Sequence, residues 1–492
     1  MKKYTLRLSI LAIVFHFFTG SMQAQESAQA LLSGKPPSSL RLPAVFGDGM
    51  VMQQKTRVSI WGWAPPGQQI KIECSWNHAS YRTKSDQHGA WKTKIASPAA
   101  GGPFDIKISN GEEQVHIRQI FFGEVWVCSG QSNMEMPLKG YRNQPVMQGD
   151  SLIKEADAHP RIHIFRVPKI VSAKPLDDCN AIWTVSNSKD APAYSAVAYQ
   201  FALELEKKLN VPVGIICSYW GGTAIQSWMS RETLQQIPGV WLTNCPDTIL
   251  NPEKDPERSP AILYNSMIAP IAGYTTRGFI WYQGESNRYN PQLYQTLMPV
   301  MVKEWRKLWG EGNIPFYYVQ IAPYRYNWKN DYFSAFLREA QLKAMNVIPH
   351  SGMAVSLDVG KEKLIHPPDK TIISKRLSYW ALAKTYKQKN IPFAFPEYRR
   401  MKIKGNTVIL KFSHAGAGLV CIGDSLINFE VAGSDQVFHP ASAAIIGKNK
   451  IRVSSQVVNA PQAVRYAFRN WVKGDLYNSD GLPASSFRTD NF

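Results

Sequence analysis

Apolar and polar positions change rhythm twice along the chain. From Leu42 to about Gln119 short stretches alternate with period two, as in Arg57-Val-Ser-Ile-Trp-Gly-Trp and Gln69-Ile-Lys-Ile-Glu-Cys, with Ala64-Pro65-Pro66-Gly67 between them. Alternation punctuated by Gly and Pro predicts half-buried strands, here an N-terminal β-sandwich-like domain over residues 42–119. At Phe121 the character changes. Gly123-Glu-Val-Trp-Val-Cys is a short apolar strand that runs into Ser129-Gly130-Gln131-Ser132-Asn133. Beyond it, Ala196–Leu209 and Tyr294–Trp309 carry helical spacing. They are interleaved with buried, strand-like runs from Val211 to Cys217, Gly278 to Tyr282, Phe316 to Ile321 and Gly352 to Asp358. Strand–helix alternation predicts an α/β fold over residues 120–390: three layers, with a mainly parallel sheet between helices. Alternation returns after Asn390, in Thr407-Val-Ile-Leu-Lys-Phe and Lys450-Ile-Arg-Val-Ser, so residues 391–492 should form a C-terminal β-rich region. No internal repeat or low-complexity tract interrupts this order.

The first residues follow another logic. Lys2, Lys3 and Arg7 precede an apolar run from Leu8 to Phe18, and Ala24 offers a small residue for cleavage. Residues 1–24 thus read as a signal peptide, followed by a flexible lead-in over residues 25–41. The expectation is export across the inner membrane to the periplasm or beyond, with no membrane insertion once the signal is removed. Loss of those three cations lowers the formal charge from +19 to +16. The Lys and Arg residues are scattered, which argues against nucleic acid as a partner and is compatible with acidic glycans. The chain has six cysteines, at 74, 128, 179, 217, 245 and 421, with no C-x-x-C pair and no zinc-like His spacing, so no metal site is expected. Cys128 and Cys217 lie in apolar runs and read as buried thiols. The chain also has 15 Trp, 21 Tyr and 21 Phe. Flat rings stack on pyranose faces, although most rings in any chain are core.

Candidate chemistry gathers at the ends of the buried strands. Ser132 follows a strand directly, in a turn that projects its hydroxyl beside unpaired backbone N–H groups, a geometry suited to a nucleophile. Gln131 stands next to it, as a candidate for oxyanion or substrate binding. The sequence is not G-x-S-x-G, which disfavours the usual lipase elbow. A serine needs a base, and His366 in Ile365-His366-Pro367-Pro368 comes after the strand-like segment that ends at Asp358. Asp358 could orient His366 and stabilise its imidazolium form. Two further loops follow buried strands: Trp220-Gly221-Gly222-Thr223 and Gln283-Gly284-Glu285-Ser286-Asn287. Gly222 can bring a backbone N–H close to a ligand. Gln283 and Asn287 add amide donors. Glu285 could orient the loop or the substrate, or be a buried, hydrogen-bonded carboxylate.

Several longer segments resemble the sialate O-acetylesterase family of the SGNH-type hydrolases: the run from Gly123 to Pro137, Gly221-Gly-Thr-Ala-Ile-Gln-Ser-Trp-Met-Ser, and Trp281-Tyr-Gln-Gly-Glu-Ser-Asn. Phe46-Gly-Asp-Gly-Met-Val-Met-Gln-Gln, Leu337-Arg-Glu-Ala-Gln and the run from Asn478 to Asp490 are similar to it too, so the resemblance spans about Leu42 to Phe492. It implies a serine carboxylic-ester hydrolase with an SGNH-hydrolase-like catalytic domain, with Ser132 as nucleophile and His366 as base. The implied substrate is an acetylated sugar or glycan, foremost 9-O-acetyl sialic acid, and no metal or organic cofactor is needed. The chain departs from the pattern at Leu364, where many relatives have an Asp, which leaves Asp358 or a Ser–His dyad. It departs again at Ser286, where an Asn donor is usual; Gln283 or Asn287 would then join the Ser132 and Gly222 N–H groups. Two rivals remain: an acetylesterase acting on xylan, pectin or another plant glycan, and a non-catalytic glycan-binding protein on an esterase scaffold. The sequence leaves oligomeric state open.

Overall fold

The computed structural model describes residues 37–240, 256–326 and 331–491. The signal peptide, most of the lead-in and Cys245 lie outside these residues. Seven strands form the central sheet: β1 (Gln114–Gly130), β2 (Ile162–Arg166), β3 (Trp183–Val185), β4 (Val213–Tyr219), β5 (Gly278–Tyr282), β6 (Phe316–Val319) and β7 (Ser351–Ala354). Their order is β7-β6-β5-β1-β4-β2-β3. Every neighbouring pair is parallel except β2 with β3 at the edge. The last nine residues of β1 are all buried, as a central parallel strand covered on both faces requires.

Helices cover both faces, and the alternation along β6 shows which goes where. Tyr317 stacks on Trp380 of helix α4 (Lys370–Trp380), which packs beside α1 (Ala196–Leu209). Phe316 and Tyr318 point the other way. Phe316 meets Trp305 of α2 (Pro291–Trp309), and the Tyr318 hydroxyl donates to the Gln341 carbonyl of α3 (Phe333–Val347) at 2.5 Å. Trp126, Trp228, Trp281, Trp305 and Trp309 are all fully buried, so these indoles serve the core and not a sugar. This is the expected α/β architecture with a strand-rich C-terminal region. Helix α2 begins earlier than its apolar period suggests, at Pro291, because Pro suits the first helical position and the Asn290 side chain accepts from the Leu293 N–H at 3.1 Å.

Strand β1 also runs backwards out of the catalytic layer. Its first half pairs antiparallel with Gly101–Ser109 and parallel with Val51–Gln53. The rhythm change at Phe121 therefore falls inside one continuous strand. Side chains reinforce the junction: Trp183 Nε1 donates to the Val45 carbonyl at 2.8 Å, and the Tyr274 hydroxyl to the Val51 carbonyl at 2.8 Å.

The C-terminal region holds two four-stranded sheets, with antiparallel pairs such as Thr407–Ser413 with Lys450–Ser454 and Phe429–Ala432 with Ala463–Tyr466. Its final stretch returns to the catalytic layer. Arg338 of α3, fully buried, donates to the Ser486 hydroxyl at 3.0 Å and the Arg469 carbonyl at 2.5 Å, while Gln320 donates to Ser485 at 2.7 Å. Cys74, Cys128, Cys179, Cys217 and Cys421 are free thiols. Cys128 and Cys217 face each other in register across β1 and β4, both buried, and burial holds the Cys128 thiol well above the ordinary thiol range.

Candidate active site

Strand β1 ends at Gly130, flanked in register by Tyr219 on one side and Tyr282 on the other. A Cβ at Gly130 would lie 2.3 Å from the Tyr282 carbonyl oxygen, at a φ of +142°, so only glycine lets the chain turn between its neighbours. The turn delivers Ser132 as the first residue of a single helical turn, Ser132–Glu135. The second loop closes on it: a Cβ at Gly221 would sit 3.1 Å from the Ser132 Cβ. The N–H groups of Ser132 and Gly222 have no acceptor among the described residues.

His366 approaches from the loop between β7 and α4. Its Nε2 lies 2.9 Å from Ser132 Oγ, and its Nδ1 lies 2.7 Å from Gln144 Oε1. A carboxamide oxygen can only accept. Nδ1 therefore carries the proton, and Nε2 is left to accept from the Ser132 hydroxyl. Burial pushes the His366 imidazole down to about 4, helped by the nearby positive charge of Lys370. Gln144 is presented by a tight turn in which Tyr141 and Gln144 exchange backbone hydrogen bonds at 3.0 Å. From the same turn the Tyr141 hydroxyl donates to the Ser132 carbonyl at 3.1 Å, and its ring meets the His366 ring edge-on at 5.1 Å. The Met147 N–H donates to the Pro368 carbonyl at 3.0 Å, tying this loop to the His366 loop.

Asp358 is not the partner of His366. Its two oxygens accept from Arg376 Nη1 and Nη2, each at 2.7 Å, and Arg376 also donates to the Val355 carbonyl at 2.7 Å. A guanidinium fork in the second turn of α4 matches a carboxylate better than a single imidazole N–H does. The position that the expected acid would take on Nδ1 belongs to Gln144. Nothing in the sequence around Gln144 marks it, since glutamine is not a usual partner for a catalytic histidine.

The amides also sort themselves. Gln283 is fully buried and its Nε2 donates to the Thr223 carbonyl at 3.1 Å and to Asn287 Oδ1 at 2.7 Å. Both of its N–H bonds are thus engaged, which removes it as an oxyanion donor. Asn287 accepts from the Ile225 N–H at 2.9 Å and gives one N–H to Gln226 Oε1 at 2.8 Å, so its second N–H has no acceptor among the described residues. Gln131 turns away from the nucleophile, its Oε1 accepting from the N–H groups of Gly284 at 3.2 Å and Ser286 at 3.4 Å. Glu285 is the buried, hydrogen-bonded carboxylate of the two readings: its Oε1 accepts from Asn133 Nδ2 at 2.7 Å, and burial raises its pKa. Glu135, outside the sequence-derived set, accepts from the Gly221 N–H at 2.6 Å and pairs with Lys169. It thereby holds the loop that carries Gly222.

The arrangement can polarise a serine hydroxyl and receive negative charge on N–H groups beside it, which is the equipment of acyl transfer. Among the described residues no cluster of His, Cys, Asp and Glu could hold a metal ion, and no helix is long and apolar enough to cross a membrane.

Residues 122–371, about half of the chain, match the family model described as carbohydrate esterase, sialic acid-specific acetylesterase. The Homo sapiens protein named sialate O-acetylesterase is 27% identical over 491 aligned residues, spanning 91% of this chain and 92% of its own. The Mus musculus protein of that name is 27% identical over 433 residues, spanning 76% and 79%. A crystal structure of a novel carbohydrate acetylesterase from Xanthomonas citri superposes with a TM-score of 0.83 at 32% identity, covering 92% of this chain and all of that one.

Proposed function

This chain belongs to the sialic acid-specific acetylesterase family of carbohydrate esterases, and from that premise we propose that it removes O-acetyl groups from sugars, with 9-O-acetyl sialic acid as the leading substrate. The observation that carries the reading is the line Ser132 Oγ, His366 Nε2, His366 Nδ1, Gln144 Oε1, with its 2.9 Å and 2.7 Å separations. Neutral His366 takes the proton as Ser132 Oγ attacks the acetyl carbonyl. Gln144 keeps the ring in the tautomer whose Nε2 can accept. The Ser132 and Gly222 N–H groups, with Asn287 as the third candidate, face the developing oxyanion; losing one such donor typically costs about 3–4 kcal/mol of transition-state stabilisation. The sugar oxygen leaves with the proton from His366 Nε2. Water then attacks acetyl-Ser132 as His366 takes its proton, and acetate departs as the proton returns to Ser132 Oγ.

An acidic sugar is supported by the positive charge of the chain and by Arg258, whose guanidinium would come within 3.2 Å of a Cβ placed on Gly222. The basic, apolar start of the chain supports export, so the acetylated glycans would be met outside the cytoplasm. The deciding measurement is acetate release from 9-O-acetylated sialic acid and from acetylated xylan, by the wild type and by Ser132→Ala. Release from the sialic acid that vanishes in Ser132→Ala is the expected result. Turnover of xylan alone would move the substrate and keep the mechanism; activity surviving in Ser132→Ala would overturn the mechanism.

A further inference from the structure

Asn133 and Lys370 are completely buried directly behind the reacting pair, and neither touches Ser132 Oγ or the His366 ring. Lys370 Nζ donates to Asn133 Oδ1 at 2.5 Å and sits 5.5 Å from the Tyr282 ring centre. The Asn133 Nδ2 donates in two directions, to Glu285 Oε1 at 2.7 Å and to the Ile365 carbonyl at 3.2 Å. The buried ammonium and the buried carboxylate are thus joined through the side chain of an asparagine, and that asparagine follows the nucleophile while Ile365 precedes the base.

The chemistry of the three neighbours leaves the amide one orientation. An ammonium can only donate, so it must face Oδ1; a carboxylate and a carbonyl can only accept, so they must face Nδ2. With both N–H bonds engaged and the oxygen held, the amide cannot flip without breaking all three contacts. The Ile365 contact then fixes the height of the His366 loop over the Ser132 turn. A network kept for stability alone has little need of a lysine here, since replacing buried charges by apolar groups of similar volume is often neutral or stabilising. Burial also lowers the Lys370 ammonium to about 7, because the site solvates its charge poorly.

Resting on the esterase reading above, we propose that Asn133 is the positioning residue that couples the nucleophile turn to the base loop, with Lys370 and Glu285 setting the orientation of its amide. Asn133 touches no reacting atom; it acts by keeping Ser132 Oγ and His366 Nε2 within proton-transfer reach.

The test uses the full chain, 4-nitrophenyl acetate as substrate, and thermal melting as a folding check. Asn133→Asp keeps the acceptor for Lys370 but sets carboxylate oxygens against Glu285 and the Ile365 carbonyl. The expected result is a fall in kcat of about 100-fold with KM within twofold of the wild type. Lys370→Met removes the donor that holds Oδ1 and should lower kcat about 10-fold, again without a change in KM. Should Asn133→Asp fail to fold, Lys370→Met decides by the same split. A folded variant with kcat within twofold of the wild type, or a loss that appears in KM alone, would overturn the proposal. Wild-type protein inert towards the ester would instead sink the esterase reading on which it rests.

Discussion

At the scale of single residues, the difference between a carboxamide and a carboxylate on His366 Nδ1 is a difference of charge. Gln144 orients the ring as an acid would, but it brings no negative charge to hold a second proton on it. Burial first, and then the Lys370 charge, keep the imidazole neutral well below its ordinary value of 6.5, down to about 4, with no anion beside the ring to oppose them. The acid limb of kcat/KM against pH should therefore fall near pH 4, and Gln144→Glu should move it upward by about one unit or more, because an anion beside the ring favours imidazolium. Gln144→Ala should lower kcat roughly 10- to 100-fold through loss of the orienting bond. The same shift sets a sign for stability. Between about pH 6.5 and 4 the unfolded chain binds a proton that the folded chain does not, so folding weakens as the pH drops through that window. Ser132 and His366 stand out in the sequence because a serine after a buried strand and a histidine before Pro-Pro are local patterns. Gln144 does not stand out, because its turn carries no periodicity and its side chain acts only after the loop has folded over the base. Gln283 misleads for a related reason: two nearby oxygens take both of its N–H bonds, which only the assembled loops reveal.

Among elements, the pairing of Asp358 with Arg376 joins the loop after β7 to helix α4, whose first residue is Lys370. Both side chains are nearly buried, at 11% and 8% exposure, so breaking the pair from one side leaves an uncompensated charge. Asp358→Asn should lower stability by about 3–5 kcal/mol, read in a denaturant melt, while kcat of the folded fraction stays close to wild type. A collapse of kcat at unchanged stability would restore Asp358 to the chemistry. The main elements are legible in the sequence, since α1 begins and ends where its apolar period does and β5 matches its apolar run from end to end. The run from Gly352 to Asp358 is longer than β7 because its last residues leave the sheet at Ala354 to reach Arg376. A long-range ion pair of this kind has no signature in local pattern.

For the whole molecule, β1 makes the N-terminal β unit and the catalytic layer share one backbone. The rhythm changes near Gln119 because the strand passes there from a half-exposed sheet into a fully covered one. Rhythm reports burial, however, and burial can change without a break in the chain. A chain begun at Phe121 would strip Val51–Gln53 from β1 and uncover the buried Phe122 and the part of β4 at Gly214 against which Val51 packs. Such a chain should be insoluble or lack a cooperative melt, whereas the whole protein should melt these two units in one transition. Two separate transitions, with esterase activity in the shortened chain, would contradict this.

The shared strand also bears on which sequence changes the family can tolerate. Side chains on a strand alternate faces with a period of two, so losing or gaining one residue between Glu124 and Gly130, where β1 pairs in unbroken register with β4 and β5, would turn every later side chain to the opposite face and carry Ser132 off its loop. Substitutions along β1 can be absorbed one at a time. Insertions and deletions in that stretch cannot, and variation in chain length among relatives should be confined to the turns and to the irregular first half of β1, with the spacing from Glu124 to the nucleophile kept constant.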